Sequence, residues 1–187
     1  MKTLLSLQQY RTRPTPGHEE LFALCQEYNI KTILTVDTGI DSHVTTDMKG
    51  NLGDPEIDLW TRSLLIETSK HGVNCFLANV CVGVEPWISE SVYDVFKQSQ
   101  KENHFVGTWQ PSGEDTEDPV TVWRSVRETL GFEPSNTGFA LHKALEGFRG
   151  NIELPHSPGV SVNIADSTSK YYLFRLNSSW PRELLTG

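Results

Sequence analysis

Three near-continuous apolar runs, KTILTVD, VNCFLANVCVGV and HFVGTWQ, alternate along this chain with stretches of helical period. A strand buried on both faces reads as an unbroken apolar run, and the return to a parallel neighbour needs a crossover of a dozen or more residues, usually a helix. The alternation therefore predicts an α/β fold. Its expected form is three-layer and Rossmann-like, with a mainly parallel sheet and right-handed crossovers. The last third changes character: IELP, GVSVNIA and KYYLFRL alternate as antiparallel strands do, predicting an antiparallel addition at the C-terminus.

The helices follow from spacing and end signals. Leu21, Leu24, Cys25 and Tyr28 share one face before Asn29. Asp54 and Pro55 form an N-cap and first-turn pair for a helix burying Ile57, Trp60 and Leu64 and closing at Gly72. A helix from about Ser89 to Asn103 turns Val92, Val95, Phe96 and Ser99 inward. Asp118 and Pro119 repeat the start device ahead of Val122, Trp123, Val126 and Leu130, with Gly131 as the stop. TGFALHKALEGF is a further helix ending at Gly147 and Gly150, and a short terminal helix is expected over Trp180 to Leu185. With 187 residues and 37% hydrophobic content, residues 1–187 are expected to form one domain.

Net charge is −8 with a pI near 5.2, which argues against a nucleic-acid partner, because phosphate binding needs clustered Lys and Arg. A cationic ligand or a divalent cation fits better. Apolar runs such as Val80 to Val84 fall well short of the ~20 residues of a membrane span, and MKTLLSLQQY lacks a signal-peptide core. No membrane partner is expected. Cys25, Cys75 and Cys81 form no CxxC pair, so they are read as buried apolar residues in a reducing, cytoplasmic compartment.

In a sheet of this kind ligands bind beyond the carboxyl ends of the strands, at loops starting near Asp37, Val82 and Gln110. The first loop, TVDTGIDSHVTTDMKGNLGDPEID, carries Asp37, Asp41, Asp47, Asp54 and Asp58. The second offers Glu85 beside Gly83, and the third offers Trp109, Glu114 and Asp115. Gathered carboxylates can bind a hard cation, hold ribose hydroxyls or act as acid and base. Asp37 closes a strand and is the strongest candidate; Asp41 either supports the turn at Gly39 or meets a ligand. Asp54 reads mainly as a helix cap, Asp58 as a ligand or a partner of the helix dipole, and Asp47 as a turn residue or third cation ligand. The candidate set is Asp37 and Asp41 for catalysis, Gly39, Ser42, Gly53, Asp58, Gly83, Glu85 and Asn136 for ligand contact, and Asp37, Asp41 and Asp47 for a divalent cation.

Other chemistries lack their signatures. His18, His43, His71, His104, His142 and His156 are scattered without HExxH, Ser42 and Ser112 have no GxSxG setting, and neither a GxGxxG fingerprint nor a P-loop is present, so no NAD or ATP motif exists. Trp109 and Trp123 are expected as core aromatics.

Two resemblances bear on this loop. TVDTGIDS keeps Asp37, Gly39, Ile40 and Asp41 of the DTDPGIDD turn of calcium-dependent nucleoside hydrolases, with Thr35, Thr38 and Ser42 replacing an Asp, the Pro and the last Asp. VDTGIDSHVTTDMKGNLGDPEID more fully resembles VDGGxDSLxxGDExxLGTPxxD of a Rossmann-like family of unknown function, family 1152. It keeps Val36, Asp37, Gly39, Asp41, Ser42, Asp47, Leu52, Gly53, Pro55 and Asp58, while Thr46, Met48 and Asp54 depart from it. NVCVGVEPWIS, NTGFALHKALEGFRG and KYYLFRLN extend the likeness over about residues 30–176. That family opens with a strand and glycine-rich loop this chain does not show, so the chain is expected to match its C-terminal two-thirds, as a fragment or a reduced relative. The resemblance implies a nucleotide-like or ribosyl-like ligand at the strand ends, with hydrolysis or transfer as the reaction. Its alternative is a non-catalytic binding or assembly module that lost the nucleotide loop, whose unpaired sheet edge a homodimer would cover. A nucleoside-hydrolase-like enzyme ranks third.

Overall fold

The computed structural model describes residues 17–43, 55–85, 88, 90–110, 135–178 and 180. Helix α1 (His18–Glu27) buries Leu21 and Cys25, one turn apart, and Asn29 ends the segment with φ of 52°, a left-handed conformation that Asn tolerates. Tyr28 lies past the last helical residue and is exposed rather than on the buried stripe. Strand β1 (Thr32–Thr38), helix α2 (Pro55–Ser69) and strand β2 (Asn74–Val80) form the expected strand, helix and strand, and β1 pairs with β2 in parallel. But β1 lies at an edge of the sheet among the described residues, with Leu34 and Val36 exposed, rather than buried on both faces as its apolar run implies. Helix α2 starts at Pro55 as predicted; Asp54 lies outside the described residues. It turns Arg62, Leu64, Leu65 and Ile66 inward and leaves Trp60 exposed.

Helix α3 (Glu90–Ser99) buries Val92, Phe96 and Ser99, and strand β3 (Phe105–Trp109) follows. Helix α4 (Asn136–Leu145) is capped by Ser135, whose hydroxyl accepts from the Gly138 N–H at 3.1 Å. The hairpin of β4 (Gly150–Glu153) and β5 (Ser161–Ile164) comes next, then strand β6 (Tyr171–Leu176). The helix expected over Val122 to Leu130 lies outside the described residues, as does the terminal one apart from Trp180, which is buried.

The α/β class holds, but the sheet is mixed rather than mainly parallel. Its order is β1-β2-β6-β3, with β6 antiparallel to both neighbours, so among the described residues β1 and β2 form the one parallel pair. The composition of β6 explains its central place. Phe174 and Leu176 are fully buried on one face, while Tyr171 and Leu173 are half-buried on the other; at an edge one of these faces would meet water. Strand β3 takes the edge instead. Val106 and Trp109 are more than half exposed there, and Trp109, expected in the core, stacks on Tyr171 with ring centroids 5.1 Å apart.

One core joins α1, α2 and α3 to Cys75, Leu77, Phe174 and Leu176; a second sets Ala140 and Ala144 of α4 and the hairpin residues Val162 and Ile164 against Val80, Cys81 and Val84. All three cysteines are free and buried within these cores, as expected. Among the described residues, no helix is long and apolar enough to cross a membrane.

Candidate functional site

Strands β1 and β2 end level with each other, and the register sets Asp37 opposite Asn79. Both side chains face the same side of the sheet, because opposed residues of a parallel pair share a face. The chain then leaves β1 through Gly39, whose N–H donates to the Val80 carbonyl at 2.8 Å, and folds into a single 3-10 turn, Asp41–His43. Gly39 has φ of 138° and lies directly over Glu85: a Cβ there would sit 2.1–2.3 Å from the carboxyl atoms. Only glycine permits this approach. The next residue, Ile40, donates its N–H to Glu85 Oε2 at 2.8 Å, so the second strand-end loop carries the acceptor that anchors the first.

Asn79 has no exposed surface and holds the turn from beneath. Its Nδ2 lies 2.9 Å from Asp37 Oδ2, 2.9 Å from the Gly39 carbonyl and 2.8 Å from Ser42 Oγ. Its Oδ1 is 2.9 Å from His43 Nε2, and His43 Nδ1 is 3.2 Å from Ser99 Oγ. Burial drives the His43 pKa down to about 3, leaving a neutral ring clamped among Phe96, Phe174 and Trp180. The polar turn is thereby tied into the aromatic core.

Asp58 comes from the first turns of α2, and Arg62 follows it one turn later on the same helix. Asp37, Asp41 and Asp58 each offer a carboxylate oxygen, and these atoms all lie within 4.8 Å of one another. A calcium ion holds its oxygen ligands at ~2.3–2.6 Å, so three oxygens this close can share one. Arg62, 2% exposed, donates from Nη1 to the Ser42 carbonyl. Burial lowers its pKa to about 10, against the upward pull of Asp58 and Asp37, so it remains charged at neutral pH. A cavity of about 270 Å³ opens beside the carboxylates, lined by Thr35, Thr38, Ser42, Thr61, Asp37, Asp58 and Arg62 with Val36, Leu77 and Leu176.

The carboxyls repel one another. Burial, then Asp41, lifts the Asp37 pKa to about 6; burial also raises Asp41. Glu85 reaches about 8, through burial first and Asp41 second, with the Ile40 N–H holding it lower and Asp37 and Asp58 adding to the rise. It is a neutral carboxylic acid at neutral pH, set behind Gly39.

Of the sequence candidates, Asp37, Gly39, Asp41, Ser42, Asp58 and Glu85 come together. Gly83 lies two residues from Glu85 at φ of 100°, where a Cβ would meet Tyr93 Oη and Ser167 Oγ at 3.5 and 3.7 Å. Asn136 is engaged elsewhere, donating to Ser157 Oγ at 2.8 Å and accepting from the His156 N–H at 2.9 Å, which ties the start of α4 to the loop after β4. Asp47, Gly53, Glu114 and Asp115 lie outside the described residues.

Asn79 and Arg62 escape a reading of the sequence as parts of this site. Their signals were present: Asn79 is the one amide inside CFLANVCV, and a polar group in a doubly buried strand must be hydrogen-bonded. Arg62 stands four residues after Asp58, the helical interval that puts two side chains on one face. Compared with known proteins, the chain matches no family model, no curated protein and no solved structure.

Proposed function

We propose that this chain is an enzyme acting by hydrolysis or group transfer on a small hydroxyl-rich ligand, nucleotide-like or ribosyl-like, with a divalent cation held by Asp37, Asp41 and Asp58. The convergence of those three carboxylates within 4.8 Å carries the reading. A bound cation would offset the burial and the Asp41 charge that raise Asp37, polarise an oxygen of the ligand and lower the pKa of a bound water. The polar residues lining the cavity suit sugar oxygens, and its volume of about 270 Å³ lies just under the ~300–1,000 Å³ of drug-sized ligand sites, as suits a small polyol. Glu85 adds a carboxyl that keeps its proton near neutral pH, the property a general acid needs. Asp37, Gly39, Asp41, Ser42 and Asp58, which the motif shares with the uncharacterised Rossmann-like family, all belong to this cluster, and the likeness supports the same reading.

A thermal-shift series with calcium, magnesium and manganese, each with and without ribose, ribose 5-phosphate and the common nucleosides, tests it, because a ligand that binds the native state raises the melting temperature by mass action. A cation-dependent rise, enlarged by a riboside and absent in Asp37→Asn, is expected. Failure of every cation to stabilise the wild type would contradict it. Release of ribose from nucleosides tests the narrower nucleoside-hydrolase version.

One observation favours the assembly reading. Strand β1 is a sheet edge among the described residues, with Leu34 and Val36 55% and 59% exposed. A homodimer would cover that apolar edge. Light scattering separates the two, since a strict monomer with cation-dependent stabilisation removes the assembly version.

A further inference from the structure

The buried polar groups beneath the turn form a chain with one direction. Asn79 Nδ2 faces three oxygens, of which the Gly39 carbonyl can only accept, so this end of the amide is the donor and Oδ1 points to His43. An acceptor at Oδ1 requires the His43 proton on Nε2. The neutral ring then has a lone pair at Nδ1, and the Ser99 hydroxyl must donate to it. Ser99 thus donates to His43, His43 to Asn79, and Asn79 to Asp37. Every member is at least nine-tenths buried except Asp37, which ends the chain at the cavity.

We propose that Asn79, with His43 and Ser99 behind it, is the positioning residue of the site: it fixes the rotamer of Asp37 beside Asp41 and Asp58. The inference rests on the cation reading above and adds residues that reading does not need. An isolated carboxylate at a strand end rotates freely about its side-chain bonds. The N–H of Asn79 at Oδ2, with the longer contact from the Ser42 N–H at 3.4 Å, removes that freedom. Groups that orient a cation's ligands in this way commonly contribute about 10–100-fold in affinity.

The test is calcium titration calorimetry on the full chain, at a temperature well below the melting transition, for wild type, Asn79→Ser and Ser99→Ala, with each melting curve recorded. Asn79→Ser is expected to weaken calcium binding about 10–100-fold while folded. Ser99→Ala, which removes the donor farthest from the cavity and touches no proposed ligand, is expected to weaken it less and in the same direction. A merely structural role would lower the melting temperature of both variants and leave the calcium affinity of the folded protein unchanged; that result overturns the proposal. Should Asn79→Ser not fold, Ser99→Ala decides alone, and wild-type affinity in it overturns the proposal. A wild type that binds no calcium, magnesium or manganese removes the cation reading itself, a different outcome from wild-type binding that survives both substitutions.

Discussion

Replacing Glu85 by Gln should make the protein more stable in mildly alkaline solution. Glu85 is 7% exposed, and its pKa moves from 4.5 to about 8. The unfolded chain releases this proton near 4.5 while the native state keeps it, so the native state binds more protons between these values and stability falls as pH rises through them. With each tenfold step worth ~1.4 kcal/mol, the loss between about pH 5 and about pH 8 is about 3 kcal/mol. Gln keeps the size and an oxygen that can accept from the Ile40 N–H, but it cannot ionise. Urea unfolding followed by circular dichroism, in chelator, should give near-equal stability for the two proteins at about pH 5 and an advantage of about 3 kcal/mol for Glu85→Gln at about pH 8. Parallel pH profiles, or a less stable variant at the higher pH, would refute the view of Glu85 as a buried neutral acid.

Gly39→Ala should cost about 3 kcal/mol or more in the same assay, because a Cβ would meet the Glu85 carboxyl at 2.1–2.3 Å on a backbone at φ of 138°. Adding Glu85→Ala should restore part of that loss in a double-mutant cycle, and full additivity would sink the claim of direct contact. Asp37→Asn should bind no calcium yet melt no lower than wild type, since it removes a carboxyl lifted to about 6 by burial and by Asp41; equal loss of both would make Asp37 structural. Burial pushes the Cys75 and Cys81 thiols up to about 12 and raises Cys25, so a thiol reagent should label none of them in the native protein and all three after unfolding.

Strand and helix order was legible because periodicity marks the elements, and KTILTVD, VNCFLANV and HFVGTW each became a strand. But only VNCFLANV is buried on both faces as its apolar run implies; β1 and β3 lie at sheet edges among the described residues. The place of β6 was not legible. Alternation in KYYLFRL gives a direction consistent with antiparallel pairing, while the choice between edge and centre depends on what covers the second face, a tertiary matter. Trp60 and Trp109 show the same limit: helical spacing puts Trp60 on a buried stripe and residue type puts Trp109 in the core, yet both are exposed. In the site, Asp37 and Asp41 could be read from their position at a strand end, and Asp58 from its place at a helix start. The role of Asn79 was hidden because it comes from the neighbouring strand, and pairing register, absent from either segment alone, sets it opposite Asp37. Glu85 was read as a possible ligand contact; its place behind Gly39 follows from two loops meeting across forty-five residues.

Equilibrium dialysis against calcium, with bound ion counted per chain, tests the central claim most directly. One calcium per chain is expected in the wild type and none when Asp41 and Asp58 are both changed to Asn in a protein that still folds. Undiminished binding in that variant, or no binding in the wild type, would contradict it.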